Sequence, residues 1–206
     1  VVTPSNSDDA KGLLKASIED DNPVVFIEDR SIHREFLPAQ AENRPAVLGK
    51  AQIMRHGVDV SIFAAGALVQ DALKAARALD FVGVSSEVMD LRTLSPLDLE
   101  AILISVDKTR GFLVLDNAHS SGSFGESLIG RINRARPLRS GSFCKLVAWP
   151  DFPQPTNSGS IKNFYPDPER IFREIIEMFS LESSNKFRAS LAMLGEDAEG
   201  GYAGPF

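Results

Sequence analysis

Three histidines, one cysteine and a glycine-flanked turn carry most of the side-chain chemistry legible in this 206-residue sequence. His33, His56 and His119 lie too far apart in sequence to suggest a zinc site, whose ligands usually come at short, regular spacings. A single cysteine, Cys144, permits neither an intramolecular disulfide nor a cysteine zinc cluster, and such usage fits a reducing compartment. His119 follows an apolar run at 112–116 and precedes a turn into a helix. Loops at the carboxyl ends of parallel strands are where α/β proteins place ligands. The residue is read as a hydrogen-bonded loop or interface histidine, with ligand binding as the alternative. His33 and His56 sit in polar segments and read as surface positions. In Gly122-Ser123-Phe124-Gly125-Glu126, two glycines allow a sharp turn and a close approach of the helix start to its neighbours. Free N–H groups there suit an anion, although tight packing alone accounts for the pattern. The phosphate-binding P-loop and the dinucleotide fingerprint are absent, and so is the nucleophile elbow. No residue is assigned a catalytic role.

The elements that must position these groups follow from periodicity and punctuation. Residues 1–3 read as a short strand remnant. Pro4-Ser5-Asn6-Ser7 then offers helix caps, with Asp8 and Asp9 in the first turn. Residues 10–18 place Ala10, Leu13, Leu14 and Ile18 on one helical face, and Asp20-Asp21-Asn22-Pro23 ends the helix. The β-branched run at 24–27 predicts a strand buried on both faces. Residues 1–30 are therefore one β-α-β unit, and 31–48, polar and with two prolines, a linker. Strands are predicted at 49–55 (an edge), 59–65, 86–90, 111–116 and 143–149. Helices are predicted from Gly66 to 79, from Ser95-Pro96 through 106, at 125–134 and at 168–179. For the second of these, serine would be the cap and proline the first helical residue. The loop at 150–168 carries five prolines. Alternation of this kind predicts an α/β fold of three layers: a mostly parallel sheet with helices on both faces. The tail at 181–206 reads as a frayed end, although Phe187, Leu191 and Leu194 would share a helical stripe on an arm that docks on a partner.

Hydrophobic residues at 43% and charged residues at 24% are an ordinary globular balance. A net charge of −6 argues against general nucleic-acid binding. No apolar run reaches transmembrane length, and no signal peptide is visible. The start on Val1-Val2-Thr3-Pro4, without Met, reads like the interior of a longer protein.

Several stretches resemble one family in order and spacing: the β chains of thiamine-diphosphate-dependent 2-oxo-acid dehydrogenases, pyruvate and branched-chain types. The stretch from Val2-Thr3-Pro4-Ser5-Asn6-Ser7-Asp8-Asp9 through Gly12-Leu13-Leu14-Lys15 resembles the last helix before their domain linker. Asp20-Asp21-Asn22-Pro23-Val24-Val25-Phe26-Ile27-Glu28 is similar to the strand that follows. Leu48-Gly49-Lys50-Ala51 resembles the entry to the C-terminal domain. The most specific match is Val88-Met89-Asp90-Leu91-Arg92-Thr93-Leu94-Ser95-Pro96-Leu97-Asp98, and Tyr165-Pro166-Asp167-Pro168-Glu169-Arg170-Ile171 also fits. The resemblance covers residues 1 to about 180. It implies a transketolase-like C-terminal domain at 49–180, preceded by the last β-α-β unit of a domain that grips the cofactor's pyrimidine.

By the same resemblance, thiamine diphosphate and magnesium belong to the intact enzyme, and this stretch holds neither the activating glutamate nor the diphosphate ligands. The implied partners are an α chain, a second β chain and an acyltransferase core; no nucleic acid and no membrane is implied. The turn at 17–22 resembles the family's potassium loop, with backbone oxygens of Ser17 and Ile18 and the side chains of Asp20 and Asn22 as ligands. Two departures stand out. Arg134, Arg136 and Arg139 lie where the family often carries an acidic residue for the acyltransferase, and the tail after Phe179 runs beyond the usual end. A cytoplasmic enzyme is expected, with mitochondrial or plastid placement left open. The alternatives are a transketolase or sugar-phosphate synthase relative, and a stand-alone, non-catalytic assembly module.

Overall fold

The structure, a computed structural model, describes residues 1–30, 32, 46–157, 161, 164–181 and 185–198. Five strands form one sheet: β1 (Gln52–Arg55), β2 (Val60–Ala64), β3 (Ser86–Asp90), β4 (Gly111–His119) and β5 (Phe143–Trp149), in the spatial order β1-β3-β2-β4-β5. Only β1 runs antiparallel, pairing Gln52 with Asp90 at its start. The parallel register sets Val60 opposite Ser86 on one side and opposite Gly111 on the other, and Gly111 opposite Phe143. The expected α/β class with a mostly parallel, two-faced sheet is what forms.

Side-chain alternation divides the core. Ile62, Val88, Leu113, Leu115 and Val147 point to one face, under α2 (Leu68–Phe81), α5 (Pro168–Met178) and α6 (Asn185–Ala198). Phe63, Met89, Phe112 and Val114 point to the other, under α3 (Leu99–Lys108) and α4 (Phe124–Ala135). Period-two alternation puts neighbouring residues on opposite faces, so strands covered on both sides are mostly apolar, with Ser61, Ser86, Glu87 and Asp90 as buried polar exceptions. The alanines Ala72, Ala75 and Ala76 of α2 are fully buried against the sheet. A proline opens α5, with Asp167 capping through the backbone N–H of Arg170 at 2.7 Å.

Several element boundaries differ from expectation. Gly66 lies outside α2 because its φ of +58° is left-handed, and the helix starts at Leu68. Helix α3 does not begin at Ser95-Pro96, a cis peptide; it starts at Leu99 under Asp98. That carboxylate accepts from the N–H of Ala101 at 3.3 Å and of Ala51 at 3.2 Å, and pairs with Lys50 at 3.6 Å. A group that caps the helix and ties down β1's approach together fixes the start there. Strand β4 runs on to His119, three residues past the expected end.

At the amino end, α1 (Ser7–Glu19) forms as read, capped by Asn6. The flanking strands do not. Val2 makes isolated bridges to Phe26 and Thr93, and Val25 and Ile27 are exposed rather than buried on two faces. The Val2 N–H donates to the Val25 carbonyl and the Ile27 N–H to the Val2 carbonyl, each at 2.8 Å; no described neighbour extends that pairing into a ladder. The frayed-tail reading also gives way over 185–198. There α6 seats Leu194 on the core and stacks Phe187 on Phe172 at 5.7 Å, so the predicted stripe packs on its own chain.

Candidate functional site

In an open α/β sheet the ligand site lies at the carboxyl ends of the strands, where the strand order reverses. Here the chain leaves β2 for β3 on one side and returns to β4 on the other, so the reversal falls between β2 and β4. Residues 1–5 cross this end. The Thr3 N–H donates to the Arg92 carbonyl and the Leu94 N–H to the Val1 carbonyl, both at 2.9 Å. Gln70 Nε2 donates to the Ser5 carbonyl at 3.3 Å. A Cβ on Gly66 would sit 2.9 Å from Thr3 Oγ1, so the segment lies directly on the turn after β2.

What fastens this segment is a buried polar cluster. Asp90, the last residue of β3, is fully buried. Its Oδ2 accepts from Ser5 Oγ at 2.5 Å and its Oδ1 from the Arg92 N–H at 2.9 Å. Arg92 adopts a left-handed φ of +55°, which turns its backbone onto Asp90 while its guanidinium forms a two-pronged ion pair with Asp9. Asn6 Nδ2 reaches both Ser5 Oγ and Asp9 Oδ2, at 3.1 and 3.2 Å. Burial pushes the Asp90 carboxyl up to about 7, against the hydrogen bonds from Ser5 and Arg92. Sequence reasoning singled out none of these side chains for chemistry. The sequence signal was a carboxylate closing the strand directly after Val88 and Met89.

A second buried acid lies at the opposite end of the sheet. Glu87 accepts from Ser105 Oγ at 2.5 Å, pairs with Lys108, and has His56 Nδ1 at 3.9 Å. His56 itself is exposed, as read, and His33 lies outside the described residues.

His119 is the last residue of β4 rather than part of a loop, and the structure assigns it an aromatic setting. Its ring meets Trp149 and Phe164 edge-on, at centroid distances of 5.6 and 6.1 Å, and Nδ1 lies 2.8 Å from the Pro150 carbonyl. Beside it Asp151 accepts from the N–H and Oγ of Ser121 at 3.0 and 2.6 Å, which holds its carboxyl below the usual range. This is a hydrogen-bonded loop anchor.

The start of α4 is already satisfied by its own chain. Gly125 donates its N–H to Asp116 Oδ2 at 2.6 Å, Glu126 donates to Ser123 Oγ at 3.0 Å, and Gly122 donates to Glu126 Oε2 at 2.7 Å. Two carboxylates therefore occupy the position an anion would take, and packing is the use of this turn. Burial raises the Asp116 carboxyl above its ordinary value.

The turn at 17–22 is exposed. Ser17 Oγ donates to the Leu13 carbonyl at 2.7 Å, and Ile18 points to solvent. Asp20 Oδ1 accepts from the N–H and Nδ2 of Asn22 at 2.8 and 3.0 Å; the backbone hydrogen bond, then the side-chain one, lowers its carboxyl. Among the described residues, no three His, Cys, Asp or Glu side chains converge as a metal site, and no helix is long and apolar enough to cross a membrane.

Comparison with known proteins agrees with this architecture. Residues 49–171 match the model of the transketolase C-terminal domain. The pyruvate dehydrogenase E1 component β subunit of Bacillus subtilis is 41% identical over 152 residues, spanning 73% of this chain and 47% of that protein. Its counterpart in Acholeplasma laidlawii is 39% identical over 181 residues, 83% of this chain and 52% of the relative. The β subunit of a Bacillus subtilis acetoin:2,6-dichlorophenolindophenol oxidoreductase is 35% identical over 185 residues, 89% and 54% of the two chains. The chain thus spans about half the length of the curated relatives it matches. Among solved structures, a split-gene transketolase described as an inactive β4 tetramer superposes with a TM-score of 0.70 at 18% identity, covering 87% of this chain and 57% of its own. That likeness concerns the fold. With its sheet order, its two-faced core and these matches together, the chain belongs to the transketolase C-terminal domain family, as a relative of pyruvate dehydrogenase E1 β subunits.

Proposed function

We propose that this chain is the C-terminal part of the β subunit of a cytoplasmic 2-oxo-acid dehydrogenase, where it serves subunit assembly with an α chain and a second β chain. The observation that carries the reading is the covered carboxyl end of β2 and β3: residues 1–5 lie on the turns that follow both strands, through bonds with Arg92, Leu94 and Gln70. A covered end of this kind supports a role in packing and positioning. Residues 1–30 are the end of a preceding domain, 49–180 the C-terminal domain, and acyltransferase recruitment a further role. The 41% and 39% identities to pyruvate dehydrogenase β subunits favour a 2-oxo acid over a sugar phosphate. Acetoin is the second candidate substrate, on 35% identity over 89% of the chain.

Thiamine diphosphate and magnesium would be held by the rest of the intact enzyme and by the α chain. Catalysis with such a cofactor depends on the protein placing and tuning it. Calorimetric titration of the 206-residue chain with thiamine diphosphate and magnesium should therefore register no micromolar binding. A chimera carrying this chain in place of the matching half of the Bacillus subtilis pyruvate dehydrogenase β subunit, purified with that enzyme's α subunit, should consume pyruvate. Micromolar binding by the chain alone, or a chimera that fails to join the α subunit, would overturn the reading.

A potassium ion is proposed at the backbone oxygens of Ser17 and Ile18 with Asp20 and Asn22. The local chemistry suits it in part. A helix end leaves carbonyl oxygens unpaired, and Asp20 stays ionised because the Asn22 hydrogen bonds lower its carboxyl. An ion that binds only the folded form stabilises it, by about 2.7 kcal/mol at a hundredfold excess over its Kd. The chimeric enzyme should melt higher in potassium chloride than in tetramethylammonium chloride at equal ionic strength; equal Tm values would remove the site.

A further inference from the structure

The cluster at residues 5–9 and 90–92 adds side-chain ties to the backbone bonds by which residues 1–3 already meet the turn after β3. On one side stands α1 with its capping segment, and on the other the carboxyl end of β3. The groups facing Asp90 can be named element by element. Across the antiparallel register β1 presents Gln52, and across the parallel register β2 presents Ala64; neither titrates. From the amino-terminal segment come Ser5, Asn6 and Asp9, and from the turn after β3 comes Arg92. Helix α2 contributes Gln70, which binds the Ser5 carbonyl rather than Asp90. The two charges nearest Asp90 are thus Asp9 and Arg92, and they pair with each other. Among the described residues Asp90 is left with two hydrogen bonds, while the Arg92 guanidinium is committed to Asp9.

We propose that this cluster is a proton-operated joint: protonated Asp90 locks the amino-terminal segment over the carboxyl end of the sheet, and ionised Asp90 loosens it. Desolvation disfavours the charged form of a buried carboxyl, and here burial outweighs the hydrogen bonds that Ser5 and Arg92 give it, leaving it near 7. Once the segment lifts, Asp90 meets water and returns toward the ordinary value of 3.8. The sign follows from linkage. The locked form holds its proton more tightly than the open form, so the lock has its full strength below about 4 and loses it as pH rises through about 7. Above that the opening constant is level. Opening would bare the carboxyl ends of β2 and β3 around Ala64, Gly66 and Asp90, beside the β2–β4 reversal. The joint thus controls exposure of those two strand ends.

The experiment reads the amide exchange of α1 in the 206-residue chain between pH 5 and 8, corrected for intrinsic exchange, together with the 13C titration of the Asp90 carboxyl. In the unaltered chain the opening constant should rise by about tenfold per pH unit at most and level off near pH 7. Asp90→Asn, which cannot ionise, should show one opening constant at every pH. Asp9→Asn should bring the levelling to lower pH, because it removes a like charge and frees Arg92 to favour ionised Asp90. A level profile in the unaltered chain, or the same slope in Asp90→Asn, would overturn the proposal. If Asp90→Asn does not fold, the carboxyl titration decides: a midpoint near 4 rejects the joint and one near 7 supports it.

Discussion

Replacing Arg92 with alanine is expected to destabilise the chain by about 3 kcal/mol, the lower end of the range for breaking a buried ion pair. The loss comes from Asp9, which is almost wholly buried and would lack the guanidinium that grips both its oxygens. The left-handed φ of +55° is carried by arginine and alanine alike and cancels between them. It still allows a control: Arg92→Gly sheds that strain, about 1 kcal/mol, and should be milder than Arg92→Ala by that amount. Arg92→Lys keeps the charge but loses the two-pronged geometry, and should fall between alanine and the unaltered chain. Denaturant melts report the order of the series, and amide exchange reports where the loss lands. Exchange in α1 should rise more than exchange in β4. If alanine and lysine melt alike, the ion pair contributes little, and the backbone contacts of Thr3 and Leu94 hold the segment instead.

What the sequence revealed and what it hid divide along physical lines. Strands such as β2 are legible because a run that is apolar except for Ser61 fits a strand covered on both faces, and Ile62 and Phe63 do go to opposite cores. Helix α5 is legible because a capping aspartate, a first-position proline and an amphipathic stripe all agree. The start of α3 was misplaced because two adjacent signals compete. Ser95-Pro96 has the right residue types, but Asp98 wins through its extra ties to Ala51 and Lys50. The run at 24–27 reads as a doubly buried strand for a different reason. Composition alone does not say which faces are covered: Val24 and Phe26 pack with Val2 and Leu13, while Val25 and Ile27 stand exposed. The polar cluster was hidden because its members lie some 85 residues apart, and no local pattern announces that Ser5 and Asp90 meet. His119 was located at the right end of the sheet, yet its partners Trp149 and Phe164 come from β5 and beyond, which only the topology supplies.

The largest effect of a single added methyl group is expected at Gly57, in the turn between β1 and β2. Its φ is not left-handed, so the conformation itself suits alanine, and the difficulty is one of space. A Cβ there would stand 2.1 Å from the Ser86 carbonyl carbon, 2.2 Å from the Glu87 nitrogen and 2.5 Å from the Ser86 oxygen. All three are backbone atoms at the start of β3, which cannot swing aside as a side chain would. Moving them strains the contacts that seat this turn: the N–H groups of Val58 and Asp59 on the Ser85 carbonyl at 3.1 and 2.8 Å, and the Ser85 N–H on Asp59 Oδ2 at 2.8 Å. Overpacking alone costs about 1–3 kcal/mol, and each hydrogen bond lost adds about 1 kcal/mol. Gly57→Ala should therefore lose about 4 kcal/mol and leave the chain unfolded at moderate temperature. Two other glycines separate space from conformation. Gly83 has open space but a φ of +82°, so alanine there costs only backbone strain, about 1 kcal/mol. Gly130 lies in α4 with open space, and alanine there should gain up to about 1 kcal/mol from helix propensity. Urea melts of the three variants should rank them Gly130→Ala, Gly83→Ala and Gly57→Ala from most to least stable. A Gly57→Ala chain as stable as Gly83→Ala would mean that the β1–β2 turn yields by more than an ångström at little cost, and that the sheet's antiparallel edge is far softer than its packing implies.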